Sequence, residues 1–322
     1  MANLIDTIMD RTVVPGYTSV GYRVRRRLGT QGDLDVSMAG RSVLVTGATS
    51  GLGLAAAKGF AELGASVHVL ARDRNRGERA RAAIGEAGPG PATLHVADLA
   101  SLDSVRAFAA EFTAAGHDLH VLVNNAGALI GERKLSPDGI ELTFATDLLG
   151  PFLLTNLLLG RLRDCAPARL VNVSSGGMYT QRLDVDDLQF ERRDYDGPDA
   201  YAAAKRALVI LTELWAARLA GTGVVAHSMH PGWAATPGVE TSLPRFNRVM
   251  GPLLRTAKEG ADTIVWLGAA AEPAQSSGGF WHDRRRRPTH RVPWTRERPE
   301  DRLRLWRECC RLSGWTDPDE SR

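Results

Sequence analysis

Residues 41–57 read RSVLVTGATSGLGLAAA, and this stretch indicates the architecture of the whole chain. Its first part, residues 42–46, is short, apolar and partly β-branched, which is typical of a buried strand. A glycine-rich turn follows, and the alanine-rich run after it predicts a helix. Glycines let a backbone approach a pyrophosphate closely, and a helix N-terminus offers free N–H groups and the positive end of its dipole. The stretch therefore predicts a nucleotide cradle, although an ordinary tight turn would also use glycines.

The rest of the chain repeats this alternation of strand and helix. Repeated β–α units with right-handed crossovers predict an α/β fold, a single doubly wound (Rossmann) domain with a seven-stranded parallel sheet and helices on both faces. Ligands of such sheets bind beyond the carboxyl ends of the strands. The predicted strands lie at residues 42–46, 66–70, 93–96, 120–124, 169–174, 224–230 and near Phe280.

Composition and charge agree with one folded domain and exclude several classes of protein. With 322 residues, of which 43% are hydrophobic, the chain can bury a sizeable core. A net charge of +3, from 40 basic and 37 acidic residues, is too balanced to indicate a nucleic-acid partner. We find no apolar run of roughly 18 residues and no signal-like leader, so we expect a cytoplasmic protein without a transmembrane segment. The three cysteines lack metal-ligand spacing, and we expect reduced thiols and no metal site.

A tyrosine and a lysine four residues apart carry the predicted chemistry. Tyr201 and Lys205 lie in a run that reads as helix, and the i, i+4 spacing puts the phenol and the ammonium on one face. A free tyrosine is a poor acid or base at neutral pH. A cation about 4 Å away, at an effective dielectric of ~20, supplies roughly 4 kcal/mol towards ionising it. The spacing alone is common, so its significance depends on the motifs around it.

Four motifs in this order resemble the short-chain dehydrogenase/reductase superfamily. Residues 46–53, TGATSGLG, match its T-G-x-x-x-G-x-G turn, and residues 124–127, NNAG, match its N-N-A-G motif. The serine pair Ser174–Ser175 corresponds to its strand-end serine, and Tyr201 with Lys205 to its active-site pair. The motifs extend over most of the chain. Residues 22–27, 175–178, 230–239 and 260–263 further resemble one particular branch of the superfamily.

The resemblance implies hydride transfer between a nicotinamide cofactor and a carbonyl or alcohol carbon. In the direction of reduction, Tyr201 would donate a proton to the substrate oxygen, Ser175 would hydrogen-bond that oxygen, and Lys205 would lower the tyrosine pKa and hold the nicotinamide ribose. Ser174 is the alternative to Ser175, but strand alternation lets only one of them face the site. The implied cofactor-binding residues are Thr46, Gly47, Ser50, Gly51, Leu52, Gly53, Asp98, Leu99, Asn125, Ala126, Gly127, Tyr201, Lys205, Pro231, Gly232 and Thr236.

The end of the second predicted strand bears on the choice of cofactor. NAD-specific enzymes place an acidic side chain there on the ribose 2′-hydroxyl, whereas an arginine accommodates the 2′-phosphate of NADP. Here Ala71 is followed by Arg72 and Asp73, so we predict NADP(H), with Arg72 as a cofactor-binding residue. In the alternative, Arg72 lies on the surface and Asp73 binds the ribose of NAD(H). Asp98, assigned to the adenine by the resemblance, has a plain helix N-cap as its alternative.

One position departs from the superfamily pattern. Relatives carry an asparagine in the middle helix within F-x-x-N-x-L-G, and residues 144–150 here read FATDLLG, with Asp147 in its place. In relatives that asparagine helps to hold a water in a proton relay that reaches the lysine. A negative charge ~7 Å from the phenol, at an effective dielectric of ~20, would oppose its ionisation by roughly 2 kcal/mol. We include Asp147 in the catalytic set and expect a higher pH optimum.

The chain is predicted to have three parts. Residues 1–40 form a partly helical N-terminal extension, residues 41–282 the NAD(P)-binding domain with a substrate lid at about 233–254, and residues 283–322 a basic tail containing tryptophans. Residues 17–28 predict a basic amphipathic helix that docks on its own domain, with contact to a membrane surface as the alternative. The arginines at 284–287 predict a solvated loop rather than a phosphate site. The tail tryptophans are expected to pack rather than to form a ligand cage.

Three functions are compatible with these patterns. The leading one is an NADP(H)-dependent carbonyl reductase or alcohol dehydrogenase for a small molecule, and Trp233, Val239, Leu243 and Phe246 in the lid suggest an apolar one. The second is a catalytically weak NADP(H)-binding regulatory protein, suggested by Asp147. The third, an epimerase or dehydratase, is disfavoured by the glycine spacing and the short C-terminal part. The sequence leaves open whether the protein is a monomer or a homodimer.

Overall fold

The computed structural model describes residues 2–29, 31–32, 34–235, 248 and 250–318. Its strands are β1 Ser42–Thr46, β2 Ser66–Ala71, β3 Ala92–Val96, β4 Val121–Asn124, β5 Ala168–Val173, β6 Val224–Met229, β7 Phe280–His282 and β8 Arg285–Arg287. They form one sheet in the order β3-β2-β1-β4-β5-β6-β7-β8. The order reverses between β1 and β4, and in doubly wound sheets such a reversal opens a crevice beyond the strand ends.

The sheet has eight strands, so the prediction of seven was wrong at one edge. Strands β1 to β7 are parallel, and β8 runs antiparallel to β7. Between them, Asp283 and Arg284 have φ values of 52° and 57°. Positive φ at both central residues is the backbone of a tight hairpin turn, and this turn sends the arginine run back along β7.

Helices cover both faces of the sheet. Leu44 points into one apolar layer, whereas its neighbours Val43 and Val45 point into the other, as the period of two in a strand requires. The helices are α1 Ala2–Arg11, α2 Val14–Tyr17, α3 Ser19–Arg27, α4 Gly51–Glu62, α5 Arg74–Gly85, α6 Leu102–Ala114, α7 Leu142–Phe144, α8 Gly150–Asp164, α9 Gly197–Arg218, α10 Ala257–Ala269 and α11 Pro299–Ser313.

The middle helix, which carries Asp147, is interrupted. A π-helical turn, Ala145–Leu149, joins α7 to α8. Among the described residues, the segment Leu142–Asp164 has the length and hydropathy of a membrane-crossing helix, but 78% of its most apolar window is buried inside the protein. Its apolar composition therefore reflects packing in the core, where Phe152 and Leu158 are fully buried.

The N-terminal helices dock on the domain, and the face that α3 buries carries an arginine. Val20 is 45% exposed, whereas the Arg25 side chain is fully buried. Arg25 donates to Asp6 in α1 over 2.7 Å and also pairs with Asp283 in the β7–β8 turn. Buried arginine is retained where carboxylates neutralise it, and these partners turn α3 so that its charged residue faces inward.

The arginine run at 284–287 is not the solvated loop that its charge predicted. Arg284 forms two hydrogen bonds with Asp262, of 2.6 and 2.8 Å. Arg287 holds both carboxylate oxygens of Asp6, at 2.7 and 2.8 Å. These acids lie far away in sequence, so the run of like charges gives no sign of them.

The C-terminal tryptophans pack against the domain. Trp306 in α11 is 1% exposed and makes edge contacts with Trp215 in α9 and Phe152 in α8. Its Nε1 donates to Asp317 over 2.7 Å. Trp294, in contrast, is 75% exposed. Helix α11 thus extends the apolar layer of α8 and α9, which is the packing expected for the tail.

Candidate active site

A cavity of about 600 Å³ opens at the carboxyl ends of the parallel strands. This volume is in the ordinary range for a cofactor or small-molecule site. Thr236 lies outside the described residues, and Asp147 lies behind the cavity wall. All other residues of the predicted site line the cavity: Thr46, Gly47, Ser50, Gly51, Leu52, Gly53, Arg72, Asp98, Leu99, Asn125, Ala126, Gly127, Ser175, Tyr201, Lys205, Pro231 and Gly232.

The glycine turn brings the N-terminus of α4 close to the N-N-A-G motif. Gly47 has φ of 66°, a conformation that other residues rarely adopt. A Cβ on Gly53 would lie 2.4 Å from Nδ2 of Asn125, so only glycine fits at this crossing. The hydroxyl of Thr46 accepts hydrogen bonds from the backbone N–H groups of Asn125 and Ala126, both at 3.0 Å. This close approach leaves an open cradle at the helix N-terminus, with the shape that a pyrophosphate requires.

Two arginines stand at the end of β2, where the sequence indicated one. Both line the cavity: Arg72 directly follows β2, and Arg76 lies in the first turn of α5. Between them, Asp73 is the N-cap of α5 and accepts from the N–H of Arg76 over 2.7 Å. The sequence analysis did not indicate Arg76, although its place in the basic stretch that follows β2 was a usable signal. The carboxylate of Asp73 is engaged in capping, and two guanidinium groups flank it.

Asp98 stabilises its own loop rather than capping a helix. Its Oδ1 accepts from the N–H of Ala100 over 2.9 Å. The N-cap of α6 is Ser101, whose hydroxyl accepts from the N–H of Ser104. The N-cap alternative for Asp98 was therefore wrong. Asp98 lies at the cavity wall with Leu99, on the side that the resemblance assigns to the adenine.

Helix α9 brings Tyr201 to the serine at the end of β5. Proline at its first turn and Asp196 as N-cap fix where α9 begins. Ser174 also borders the cavity, but it is buried and its hydroxyl donates to the carbonyl of Lys205 over 2.9 Å. Ser175 lines the cavity and hydrogen-bonds to Tyr201. Of the two serines, only Ser175 can reach a ligand beside the phenol.

The phenol of Tyr201 lies between opposing electrostatic influences. Burial raises the pKa of Tyr201, and the negative charge of Asp147 raises it further. Lys205 lowers it, with its ammonium 5.5 Å from the centre of the phenol ring, and the hydrogen bond from Ser175 also lowers it. Burial and Asp147 prevail in this structure, so the pKa of Tyr201 is raised. The lysine acts in the expected direction but does not dominate.

Asp147 forms a buried ion pair with Lys205. Its Oδ2 lies 3.2 Å from the lysine Nζ, and the side chains are 0% and 3% exposed. Its Oδ1 accepts from the N–H of Ala128 over 2.7 Å. Desolvation alone would lower the pKa of Lys205, but Asp147 outweighs that effect and the lysine pKa is raised. A Cβ on Gly127 would lie 2.9 Å from Asp147. The glycine that ends the N-N-A-G motif therefore leaves room for this ion pair.

The N-terminal extension supports the far wall of the cavity, which the sequence did not indicate. The carbonyl of Tyr17 accepts from the N–H of Trp233 over 2.8 Å and from Nε of Arg255 over 3.0 Å. Arg255 also donates to the carbonyl of Pro231 over 3.1 Å. A Cβ on Gly176 would meet the Tyr17 ring at 2.7 Å. Tyr17 therefore packs directly beside the serine loop.

Comparison with known proteins agrees with this geometry. The family model for short chain dehydrogenase matches residues 41–185. The chain is 44% identical over 276 residues to dehydrogenase/reductase SDR family member 12 of Bos taurus, covering 85% of this chain and 86% of the relative. It belongs to the short-chain dehydrogenase/reductase superfamily. This match also confirms the branch that residues 175–178 and 230–239 resemble.

Further short-chain dehydrogenases resemble it at lower identity. Retinol dehydrogenase 12 of Bos taurus is 36% identical over 286 residues, covering 87% of this chain and 88% of that protein. A solved structure from Beutenbergia cavernae, described as an NAD(P)-dependent gluconate 5-dehydrogenase with bound NADP, is 27% identical and superposes with a TM-score of 0.64. It covers 77% of this chain and 96% of its own. The chain is thus a member of an oxidoreductase superfamily with a nicotinamide-binding fold.

Proposed function

We propose that this protein is an NADP(H)-dependent oxidoreductase that transfers hydride between nicotinamide and a carbonyl or alcohol of an apolar small molecule. One observation carries the proposal. Tyr201, Ser175 and Lys205 converge in the same cavity as the glycine turn and the two arginines. Trp233 at the cavity wall and the name of the retinol dehydrogenase relatives support an apolar substrate. Val239, Leu243 and Phe246, on which the apolar lid prediction also depended, lie outside the described residues.

The residues present fit a dinucleotide. The glycine turn and the N-terminus of α4 would hold the pyrophosphate, because the first backbone N–H groups of a helix have no partner within the helix and can bind an anion. Arg72 and Arg76 would hold the 2′-phosphate, since two guanidinium groups match a dianion better than a capped aspartate does. Asp98 would contact the adenine, and Lys205 the nicotinamide ribose. When bound, NADP(H) supplies or accepts the hydride at C4 of its nicotinamide ring.

The protein's own contribution is positioning and proton transfer. In carbonyl reduction, Tyr201 gives its phenolic proton to the substrate oxygen as that oxygen gains negative charge. Ser175 donates a hydrogen bond to the same oxygen, and Lys205 stabilises the phenolate that remains. In alcohol oxidation the ionised Tyr201 accepts the proton. Trp233 and Pro231 line this part of the cavity, with Tyr17 packed behind them, and limit access of water to these groups.

A substrate panel tests the proposal. Apolar aldehydes, ketones and primary or secondary alcohols are incubated with NADPH or NADP⁺, and the absorbance of NADPH is followed. We expect turnover of at least one apolar pair, with net oxidation or reduction of the cofactor. The buried ion pair of Asp147 and Lys205 favours a second candidate, a regulatory NADP(H)-binding protein. Tight NADPH binding without turnover across the panel would support that candidate instead.

Arg72 is predicted to set the preference for NADP(H). Arg72→Ala should weaken NADPH binding about tenfold or more, because a charge-assisted contact to the phosphate is lost, and should leave NADH binding nearly unchanged. The measurement is the ratio of the dissociation constants in wild type and variant. Arg79→Ala, in α5 and outside the cavity lining, is the matched control. An unchanged ratio in Arg72→Ala would refute this role for Arg72.

Asp147 is predicted to raise the pH at which alcohol oxidation begins. Oxidation needs the ionised phenol, and Asp147 raises the pKa of Tyr201, so Asp147→Asn should shift the acidic limb of the pH–rate profile to lower pH. Asp199→Asn removes a carboxylate near the start of the same helix as Tyr201, where solvent screens the charge, and should leave the limb unchanged. Superimposable profiles for wild type and Asp147→Asn would mean that Asp147 does not tune the tyrosine. A cytoplasmic location stays a prediction from the sequence, which leaves the oligomeric state open.

A further inference from the structure

Three histidines from separate parts of the chain meet outside the cavity described above. His68 lies in β2, His95 in β3, and His117 follows the C-terminus of α6. One nitrogen of each ring lies within 4.8 Å of the corresponding nitrogens of the other two. Neighbouring strands juxtapose the first two residues, and Nδ1 of His68 is 2.9 Å from Nε2 of His95. None of the three lines the cavity that holds Tyr201.

We propose that His68, His95 and His117 form a Zn²⁺ site that fastens the sheet edge to the end of α6. Three imidazoles are a recurrent protein ligand set for this ion, with Zn–N distances of about 2.0–2.1 Å. In tetrahedral geometry those distances put neighbouring nitrogens about 3.3 Å apart. The observed spacing needs only small side-chain rotations to reach it. The sequence predicted no metal site, because the three ligands have no local spacing motif.

The protonation state of the cluster suits a metal. Burial lowers the pKa of His68 to about 3, and nearby His95 and His117 add to the effect. Burial likewise lowers the pKa of His95 to about 4. Both rings are therefore neutral at physiological pH, and neutral imidazole is the form that binds metals. The proton now shared between His68 and His95 would move to the other nitrogen of its ring, which is an ordinary change of tautomer.

The surroundings hold the third ligand in place. Arg161 in α8 donates to the carbonyl of His117 through Nε at 3.0 Å and Nη2 at 2.8 Å. Asp118 and Asp164 pair with the guanidinium at 3.6 and 3.3 Å, which offsets its charge near an incoming cation. The position of His117 is therefore fixed by a neighbouring helix and not only by its loop.

An aromatic shell and an open side complete the site. The Phe112 ring lies 5.0 Å from the ring of His68 and 5.1 Å from that of His117, and Phe108 lies 5.2 Å from His95. An apolar shell of this kind limits the access of water to metal–nitrogen bonds. His95 and His117 are only partly buried, so a fourth ligand, such as water, can enter from solvent. His95 lies in the edge strand β3, so a cross-link to β2 and to the residues after α6 would oppose fraying of this edge.

The test uses the full chain without a histidine tag, because a tag binds the same ion. Zn²⁺ is titrated against a chromophoric chelator, and thermal unfolding is recorded with Zn²⁺ and with chelator. We expect one high-affinity Zn²⁺ per chain and a higher Tm with the ion. His117→Asn, a change at a partly exposed loop, should weaken Zn²⁺ binding at least 100-fold and abolish the rise in Tm.

A matched control separates this site from other histidines. His120→Asn removes a partly exposed histidine three residues away and can retain its hydrogen bond from the N–H of Ser42, which is 3.0 Å in wild type. It should bind Zn²⁺ as wild type does. The proposal is overturned if wild type binds no stoichiometric Zn²⁺, if His117→Asn binds it equally well, or if both variants weaken binding to the same extent. No readout depends on enzymatic turnover.

Discussion

Replacing Tyr201 with phenylalanine is expected to lower kcat by about 10²- to 10⁴-fold, because the general acid and base of the reaction is lost. The ring and its contacts remain, so the dissociation constant for NADPH should change little. The measurements are steady-state turnover of the best substrate from the panel and NADPH binding by fluorescence. A loss of turnover with binding retained would separate a catalytic role from a structural one.

The matched control for this prediction is Tyr195→Phe. The Tyr195 hydroxyl donates to the carboxylate of Glu141 at 3.1 Å, but the residue does not line the cavity. Its substitution should leave kcat within a few-fold of wild type. If Tyr201→Phe kept more than a tenth of the wild-type kcat, another group would have to move the proton, and the proposed mechanism would be wrong.

The second large effect is expected on stability, at Arg25. Arg25→Met should lower the free energy of unfolding by about 3 kcal/mol, near the lower end of the range for breaking a buried ion pair. Arg25 pairs with Asp6 and with Asp283, and all three side chains are at most 4% exposed. The loss is limited because Asp6 keeps Arg287 and Asp283 keeps Arg255. Urea unfolding at pH 7 measures the effect.

Arg23, in the same helix as Arg25, supplies the control. Arg23→Met removes an arginine that is 64% exposed and pairs with Glu259 at 3.3 Å. Exposed pairs contribute roughly 0–1 kcal/mol, so this variant should unfold nearly as wild type does. Equal free energies of unfolding for the two variants would contradict a stabilising role for the buried network.

The same network predicts a pH dependence. Desolvation opposes ionisation of Asp6, but Arg287 and Arg25 outweigh it and hold the pKa of Asp6 below its ordinary 3.8. A lowered folded-state pKa stabilises the protein fully above the unfolded-state value, and the contribution is lost as pH falls through the folded-state value. The stability difference between wild type and Arg25→Met should therefore be full at pH 7 and shrink below about pH 4.

Local patterns in the sequence were sufficient for the parallel part of the sheet and for the cavity lining. Strand periodicity and the glycine turn depend on backbone chemistry within a few residues. Both can therefore be predicted from the sequence. The i, i+4 pair Tyr201 and Lys205 is local in the same sense. Every described residue of the predicted site except Asp147 accordingly lines the cavity.

Contacts between residues that are remote in the chain determined the features that the sequence did not predict. Strand β8 and the burial of Arg25 depend on acids such as Asp6, more than 270 residues from Arg287 in the chain. Charge patterning along the sequence cannot indicate such partners, so the arginine run was wrongly predicted to be solvated. The π-helical turn that contains Asp147 likewise depends on the packing around it. In this turn the Asp147 carboxylate lies against Lys205.

The sequence by itself determined a doubly wound nucleotide-binding domain and the tyrosine–lysine pair, because both follow from short-range spacing and backbone geometry. Only the tertiary structure decided that Asp147 pairs with Lys205, that Arg76 joins Arg72 at the cavity, and that the N-terminal extension supports the cavity wall. These features depend on distances between residues that are remote in the chain. Such distances are fixed only when the apolar layers on both faces of the sheet pack and bring the remote polar groups within hydrogen-bonding reach.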